Sequence, residues 1–209
     1  MSIIKDNTRK KILNNACSTF KNVGLVKTSM DMIANKCGVT RRTLYRYFKS
    51  KDELAFEVII ILLEEFNSYQ LDVFITLKQN GIDNLKNFLY ALVNYMNNRR
   101  KVIVFMGEFD YFYSDNNDFT PNENIWDRYM EVSRVSEEIL FKIFEQGRID
   151  KSINLKGRDQ SLIIATISNV LWSFGQRIAL RGKLIEEELK TNATGLIYCQ
   201  IDLNIDALK

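Results

Sequence analysis

Histidine is absent from this 209-residue chain, and proline occurs once, at Pro121. The first absence removes the commonest general base and the commonest metal ligand together. The second, with only nine glycines, leaves long stretches in which nothing interrupts a helix. Cysteine is scarce as well. Cys17, Cys37 and Cys199 are odd in number and far apart, which argues against a disulfide framework or a zinc site. Cys17 and Cys37 fall on apolar helical faces and read as small core residues. No apolar run reaches the roughly 18 residues of a membrane span. The N-terminus, MSIIKDNTRKK, lacks the apolar core of a signal peptide, so a cytoplasmic protein is expected. No G-x-S-x-G, Walker loop or dinucleotide fingerprint occurs. Nothing calls for an enzyme, a metal or a cofactor.

What is present is helical periodicity and a polarised charge. No segment sustains two-residue alternation, so the expected fold class is all-α. Residues 1–51 hold 12 Lys and Arg against two acids, Asp6 and Asp31, while the remaining residues are net acidic. The basic end can attract phosphates by counterion release. Within it, SMDMIANKCGVTRRTLYRYFKSK (residues 29–51) reads as two short helices around a glycine turn. Ser29 suits an N-cap, because its hydroxyl can accept from a free backbone N–H. Met30, Ile33, Ala34 and Cys37 recur on one face, and Gly38 follows as a left-handed stop. Thr40 suits the cap of a second helix with Leu44 and Phe48 as its apolar side. The rest of that helix is arginine, threonine and tyrosine, a surface suited to the major groove of double-stranded DNA.

Residues 9–55 closely resemble the DNA-binding domain of the TetR family of bacterial transcription regulators. The resemblance rests on Ala16, Phe20, Gly24, Thr28-Ser29, Ile33-Ala34, Gly38-Val39-Thr40, Thr43 to Phe48, Lys51 and Leu54. It implies a one-component regulator, most often a repressor, that binds a palindromic operator as a homodimer and is released by a small molecule. It divides the chain into a three-helix helix-turn-helix domain, residues 1–51 with the connecting helix starting to about 55, and a larger helical effector-binding and dimerisation domain, residues 52–209. It also implies dimerisation through the last two helices as a four-helix bundle.

The expected helices follow from periodicity and punctuation. The first spans about residues 6–22. The fourth starts at Ser50 with Glu53 as a capping box and runs to about Lys78. Further helices are expected over 83–99 and 102–113, then a loop over 114–122. One helix is expected over 123–146, ended by Gly147. Two final helices, 158–181 and 185–200, are expected to be divided by Gly182, with Glu186, Glu187 and Glu188 in the first turn of the last.

Arg41, Arg42, Thr43 and Arg46 are the candidates for base edges, since arginine can donate twice to guanine. The family pattern, position by position, makes Thr28, Ser29, Thr40, Tyr45, Tyr47 and Lys51 the phosphate candidates. An effector pocket is expected among Phe66, Tyr69, Phe88, Tyr95, Phe105, Phe109, Tyr113, Trp126, Tyr129 and Trp172, so the effector is expected to be lipophilic. If Glu108 or Asp110 were buried among these rings, a lipophilic cation would suit them. The helix over 160–180 is apolar on several sides and asks for a second cover. Leu171, Phe174, Ile178 and Leu196 are therefore the dimer candidates. The competing expectation is a DNA-binding protein with no effector, acting structurally or through a protein partner. A filled core around Phe88, Phe105, Trp126 and Tyr129 would favour it.

Overall fold

In a computed structural model, residues 2–114 and 119–209 are described, with side chains from residue 6 onward. Among these residues there are ten helices and no strand: α1 (Ser2–Val23), α2 (Met30–Cys37), α3 (Arg41–Tyr47), α4 (Lys51–Thr76), α5 (Gly81–Asn98), α6 (Arg100–Phe112), α7 (Glu123–Ser133), α8 (Val135–Ile149), α9 (Gln160–Leu189) and α10 (Ala193–Leu208). Of the loop expected over 114–122, residues 115–118 lie outside the described residues. The all-α expectation holds.

The chain divides into two compact units, Met1–Glu64 with Val104–Val132, and Glu65–Ile103 with Ser133–Lys209. The first unit contains α1 to α3 and is built on Ile12, Ala16, Phe20, Leu25, Ile33, Leu44 and Phe48, none more than 1% exposed. Phe105 of α6 stacks on Phe20 at 5.4 Å between ring centres. The start of α4 is capped as its sequence predicts. The Ser50 hydroxyl accepts from the Glu53 N–H at 3.0 Å, while Glu53 reaches back one residue further than expected, to the Lys49 N–H at 2.7 Å.

In the second unit α5 meets α8 at two glycines. A Cβ on Gly81 would lie 2.1 Å from the Gly147 Cα, so no side chain fits there. Asp150 and Ser152 then accept the Gly81 and Ile82 N–H groups at 2.7 and 3.0 Å, closing the start of α5. Gly147 is thus a contact residue inside α8 and does not end the helix.

Two boundaries differ from expectation. The helix expected over 123–146 is two, α7 and α8, parted at Arg134. No glycine or proline marks the break; it falls where the chain passes from the first compact unit to the second. Conversely, α9 runs straight through Gly182. A single glycine costs a helix only about 1 kcal/mol, and a Cβ at Gly182 would meet its neighbours only at ordinary contact distance. The helix ends instead at Lys190, whose φ of 49° is left-handed, before Asn192 caps α10. Glu186 to Glu188 therefore lie at the end of α9. Glu186 still serves the N-terminus of α10, accepting from the Ala193 N–H at 3.1 Å.

Candidate functional site

The reader is assembled from two caps and a buried apolar side. The Ser29 hydroxyl accepts from the Met32 N–H at 3.2 Å, and Gly38 takes a left-handed φ of 65° that closes α2. The Thr40 hydroxyl accepts from the Thr43 N–H at 3.1 Å to start α3. Leu44 and Phe48 are buried, which turns Arg41, Arg42, Tyr45 and Arg46 outward. Burial also pushes the Cys37 thiol up, so that cysteine is an inert core residue.

The outward side chains are not equivalent. Arg41 is ion-paired to Asp31 at 3.2 Å, and its guanidinium lies over Tyr45 at 5.4 Å. Arg46 lies over Tyr47 at 5.6 Å. Arg42 is exposed and has no partner among the described residues. Ser29, Thr40 and Tyr45 are exposed, whereas Thr43 and Tyr47 are half-buried.

Two phosphate candidates are placed otherwise than expected. Thr28 is 2% exposed and donates its hydroxyl to the Gly24 carbonyl at 2.7 Å. Lys51 is half-buried, donates to the Leu25 carbonyl at 3.1 Å and lies over the Phe112 ring at 5.9 Å. Both are committed to shaping the turn after α1 rather than offered to a ligand. Glu108 is committed there too, since its Oε2 accepts from the Leu25 N–H at 2.7 Å. Leu25 is thereby held by its N–H from α6 and by its carbonyl from α4. The sequence could not give Glu108 this role, because its partner is 83 residues away. Lys27 and Lys49, exposed at the two ends of the reader, were passed over by motif matching. Their plain charge was the available signal.

Glu57 is a further group that sequence reasoning missed. It is 5% exposed and takes ion pairs from Arg9 at 2.8 Å and Arg128 at 3.1 Å. Its partners are remote in sequence, so no spacing pattern could reveal them. The two guanidinium groups offset the cost of burying its carboxylate.

The aromatic candidates divide between the units. In the first, Phe109, Tyr113 and Tyr129 surround Phe56 at 4.9, 5.0 and 5.7 Å, and Trp126 meets Tyr129 at 5.7 Å. The Tyr113 hydroxyl donates to Asp52 at 2.8 Å. Phe105 is spent on Phe20. In the second, Phe66 meets Tyr95 at 4.9 Å and Trp172 at 5.8 Å, and Tyr69 meets Tyr95 at 5.0 Å. Phe88 is fully buried core. A cleft of about 170 Å³ between Met96, Arg100, Ile178 and Glu186 is smaller than the roughly 300 Å³ at which ligand pockets begin.

Among the dimer candidates, Leu171 and Ile178 are 4% and 8% exposed within the chain itself. They are core positions, contrary to expectation. Phe174 and Leu196 are half-exposed. Large apolar side chains that α9 and α10 leave open include Leu162, Leu180, Leu189 and Leu203, at 67%, 65%, 60% and 65%.

An exposed cationic α3 on a capped helix-turn-helix defines a DNA-binding protein. Residues 12–58 match the family described as bacterial regulatory proteins, tetR family. Over 57 residues the chain is 39% identical to an uncharacterized HTH-type transcriptional regulator, YhgD, of Bacillus subtilis; the match takes in 27% of this chain and 30% of that relative's length. Across nearly the whole chain the fold resembles a TetR transcription regulator from Haloarcula marismortui, with a TM-score of 0.72, 16% identity and coverage of 97% of this chain and 98% of that one. It also resembles the FadR regulator of Bacillus subtilis in complex with stearoyl-CoA, with a TM-score of 0.68, 14% identity and coverage of 96% and 99%. Residues 12–58 are thus a DNA-binding domain of the TetR type, and the chain as a whole shares the fold of the solved TetR regulators. Among the described residues no helix is long and apolar enough to cross a membrane.

Proposed function

We propose that the protein is a repressor that binds a palindromic operator as a homodimer and lets go when a small molecule binds its second unit. The observation that carries the DNA half is α3 itself: Arg42 and Arg46 stand outward on a helix whose opposite side, Leu44 and Phe48, is anchored at 0% and 1% exposure. Two such helices in a dimer would enter major grooves about 34–36 Å apart. Arg42 and Arg46 are assigned to base edges, with Thr43 beside them. Arg41 joins them once it leaves Asp31. Ser29, Thr40, Tyr45, Tyr47, Lys27 and Lys49 are assigned to phosphates, which set orientation without reading sequence.

Leu162, Leu180 and Leu203 support dimerisation, since large apolar side chains on one pair of helices favour a covering partner. The effector half draws support from the FadR relative, which was solved with stearoyl-CoA. The second reading, a regulator with no effector, is favoured at Phe88 and Phe105, which are filled core at 0% and 1% exposure.

The test is selection of operator DNA from a random pool by the full chain, followed by anisotropy titration over salt. A dimer that neutralises about 8 phosphates should show a slope of log K against log salt near −7. A sequence-blind selection, or binding indifferent to salt, would overturn the proposal. Metabolite-dependent release of the selected DNA separates the two readings.

A further inference from the structure

The second unit contains buried polar atoms that the protein itself does not satisfy. Gln70 is fully buried; its Nε2 donates to Asn67 Oδ1 at 3.1 Å, and its Oε1 has no partner among the described residues. Tyr95 is 6% exposed, and its hydroxyl is likewise without a partner. Burial pushes its phenol up, as expected for a hydroxyl removed from water. The Ser168 hydroxyl and Gln160 Oε1 are the other two such atoms. A serine inside a helix normally returns its hydroxyl to the carbonyl four residues back. On the same helix the Thr166 hydroxyl and the Asn169 side-chain amide donate to the carbonyl four residues back at 2.7 and 2.8 Å, and the Ser168 hydroxyl does not.

Three of the four, those of Gln70, Tyr95 and Ser168, belong to residues that are in, or one helical turn from, one group of rings. Phe66 meets both Tyr95 and Trp172. Gln70 is one helical turn from Phe66 on α4, and Ser168 is one turn from Trp172 on α9, so each lies on the face that carries its ring. Buried polar groups are nearly always hydrogen-bonded, and three orphans around one ring group mark a place where the missing partner comes from outside the chain. Their chemistry is specific. An amide oxygen only accepts, so it requires a donor; the two hydroxyls can donate or accept. The Arg99 guanidinium lies over the Tyr95 ring at 5.8 Å and faces Glu65 at 3.9 Å, both side chains being half-exposed.

Building on the effector reading above, we propose that the Phe66, Tyr95, Gln70 and Ser168 cluster binds a neutral, planar aromatic compound carrying an N–H or O–H donor. The rings supply apolar faces, Gln70 accepts from the donor, and Tyr95 and Ser168 take the remaining polar group. The phosphates of an acyl-CoA would have to compete with Glu65 for Arg99, and a lipophilic cation would have to compete with Arg99 for Glu65.

The test is calorimetry on the full chain with 2-naphthol, naphthalene, 2-naphthoate and stearoyl-CoA. 2-Naphthol should bind, and Tyr95→Phe, Ser168→Ala and Gln70→Met should each weaken it about tenfold, the worth of one neutral hydrogen bond. Naphthalene should bind more weakly, with no loss in the variants. Tyr95→Phe and Ser168→Ala each remove one oxygen, so a folded variant remains if Gln70→Met fails to fold. If 2-naphthol does not bind, or binds all variants alike, the orphans are satisfied by water alone and the inference falls. Stearoyl-CoA releasing operator DNA while 2-naphthol fails to bind would overturn this inference and keep the effector reading. 2-Naphthol binding that the variants weaken, without any effect on DNA, would support the site and remove the switch.

Discussion

Two groups of rings draw on the same helix, α4, and they are finished differently. Around Phe56, in the first unit, Tyr113 gives its hydroxyl to Asp52, and the rings enclose a phenylalanine only 3% exposed. Around Phe66, in the second, Tyr95 and Gln70 are as well buried but leave polar atoms unmatched. Both groups are equally aromatic in sequence. Hydrogen-bond closure separates them: one cluster satisfies its polar groups from within the chain, and the other does not. The reader repeats the distinction. Thr28 and Lys51 are closed on the chain's own carbonyls, whereas Arg42 is open.

The largest effect should come from opening the closed cluster. Phe56→Ala removes its central ring and should cost about 3–5 kcal/mol in urea unfolding, because close neighbours cannot collapse into the space. A loss under about 1 kcal/mol would mean the Phe56 group is itself a loose pocket, and the contrast with Phe66 would dissolve.

Next in size is the contrast inside the reader. Arg42→Ala should cost about 1–3 kcal/mol on the selected operator and relax discrimination at one base. Lys51→Ala should instead lower the thermal midpoint of the protein, since it frees a buried carbonyl. Anisotropy on operator and random DNA, beside thermal melts, reads both. A Lys51 variant of unchanged stability that binds all DNA more weakly would return that residue to the phosphate role.

Smaller still is the effect of single hydroxyls. Tyr113→Phe removes the donor to Asp52 and should destabilise by about 1 kcal/mol. Tyr95→Phe removes an orphan and should be neutral or slightly stabilising without ligand. Equal costs in chemical denaturation would show that Tyr95 has a partner after all.

The smallest effect concerns alkaline pH and applies to both clusters. Burial raises the Tyr95 and Tyr113 phenols above the ordinary value of 10.0, with Asp52 adding to the shift of Tyr113. Such groups favour the folded state fully below about pH 10, and the benefit is lost as pH rises and the unfolded chain ionises first. Phenolate absorbance from these two tyrosines should therefore appear together with loss of helical circular dichroism. Phenolate formation in a chain that stays helical would place either ring in contact with solvent.

The local parts of this protein were legible because their causes are local. The Ser29 and Thr40 caps, the left-handed Gly38, the buried Leu44 and Phe48 and the start of α4 each depend on residues within four positions of one another, where helix geometry alone decides. The all-α class followed from periodicity for the same reason. What lay beyond the sequence depends on partners far along the chain. Glu108 meets Leu25, Glu57 meets Arg9 and Arg128, and Gly81 meets Gly147. Such contacts made Glu108 a turn clamp, placed Leu171 and Ile178 in the core, and made Gly81 and Gly147 points of close packing. Residue types state what a side chain can bond to; only the tertiary structure decides whether the chain itself has already supplied the partner.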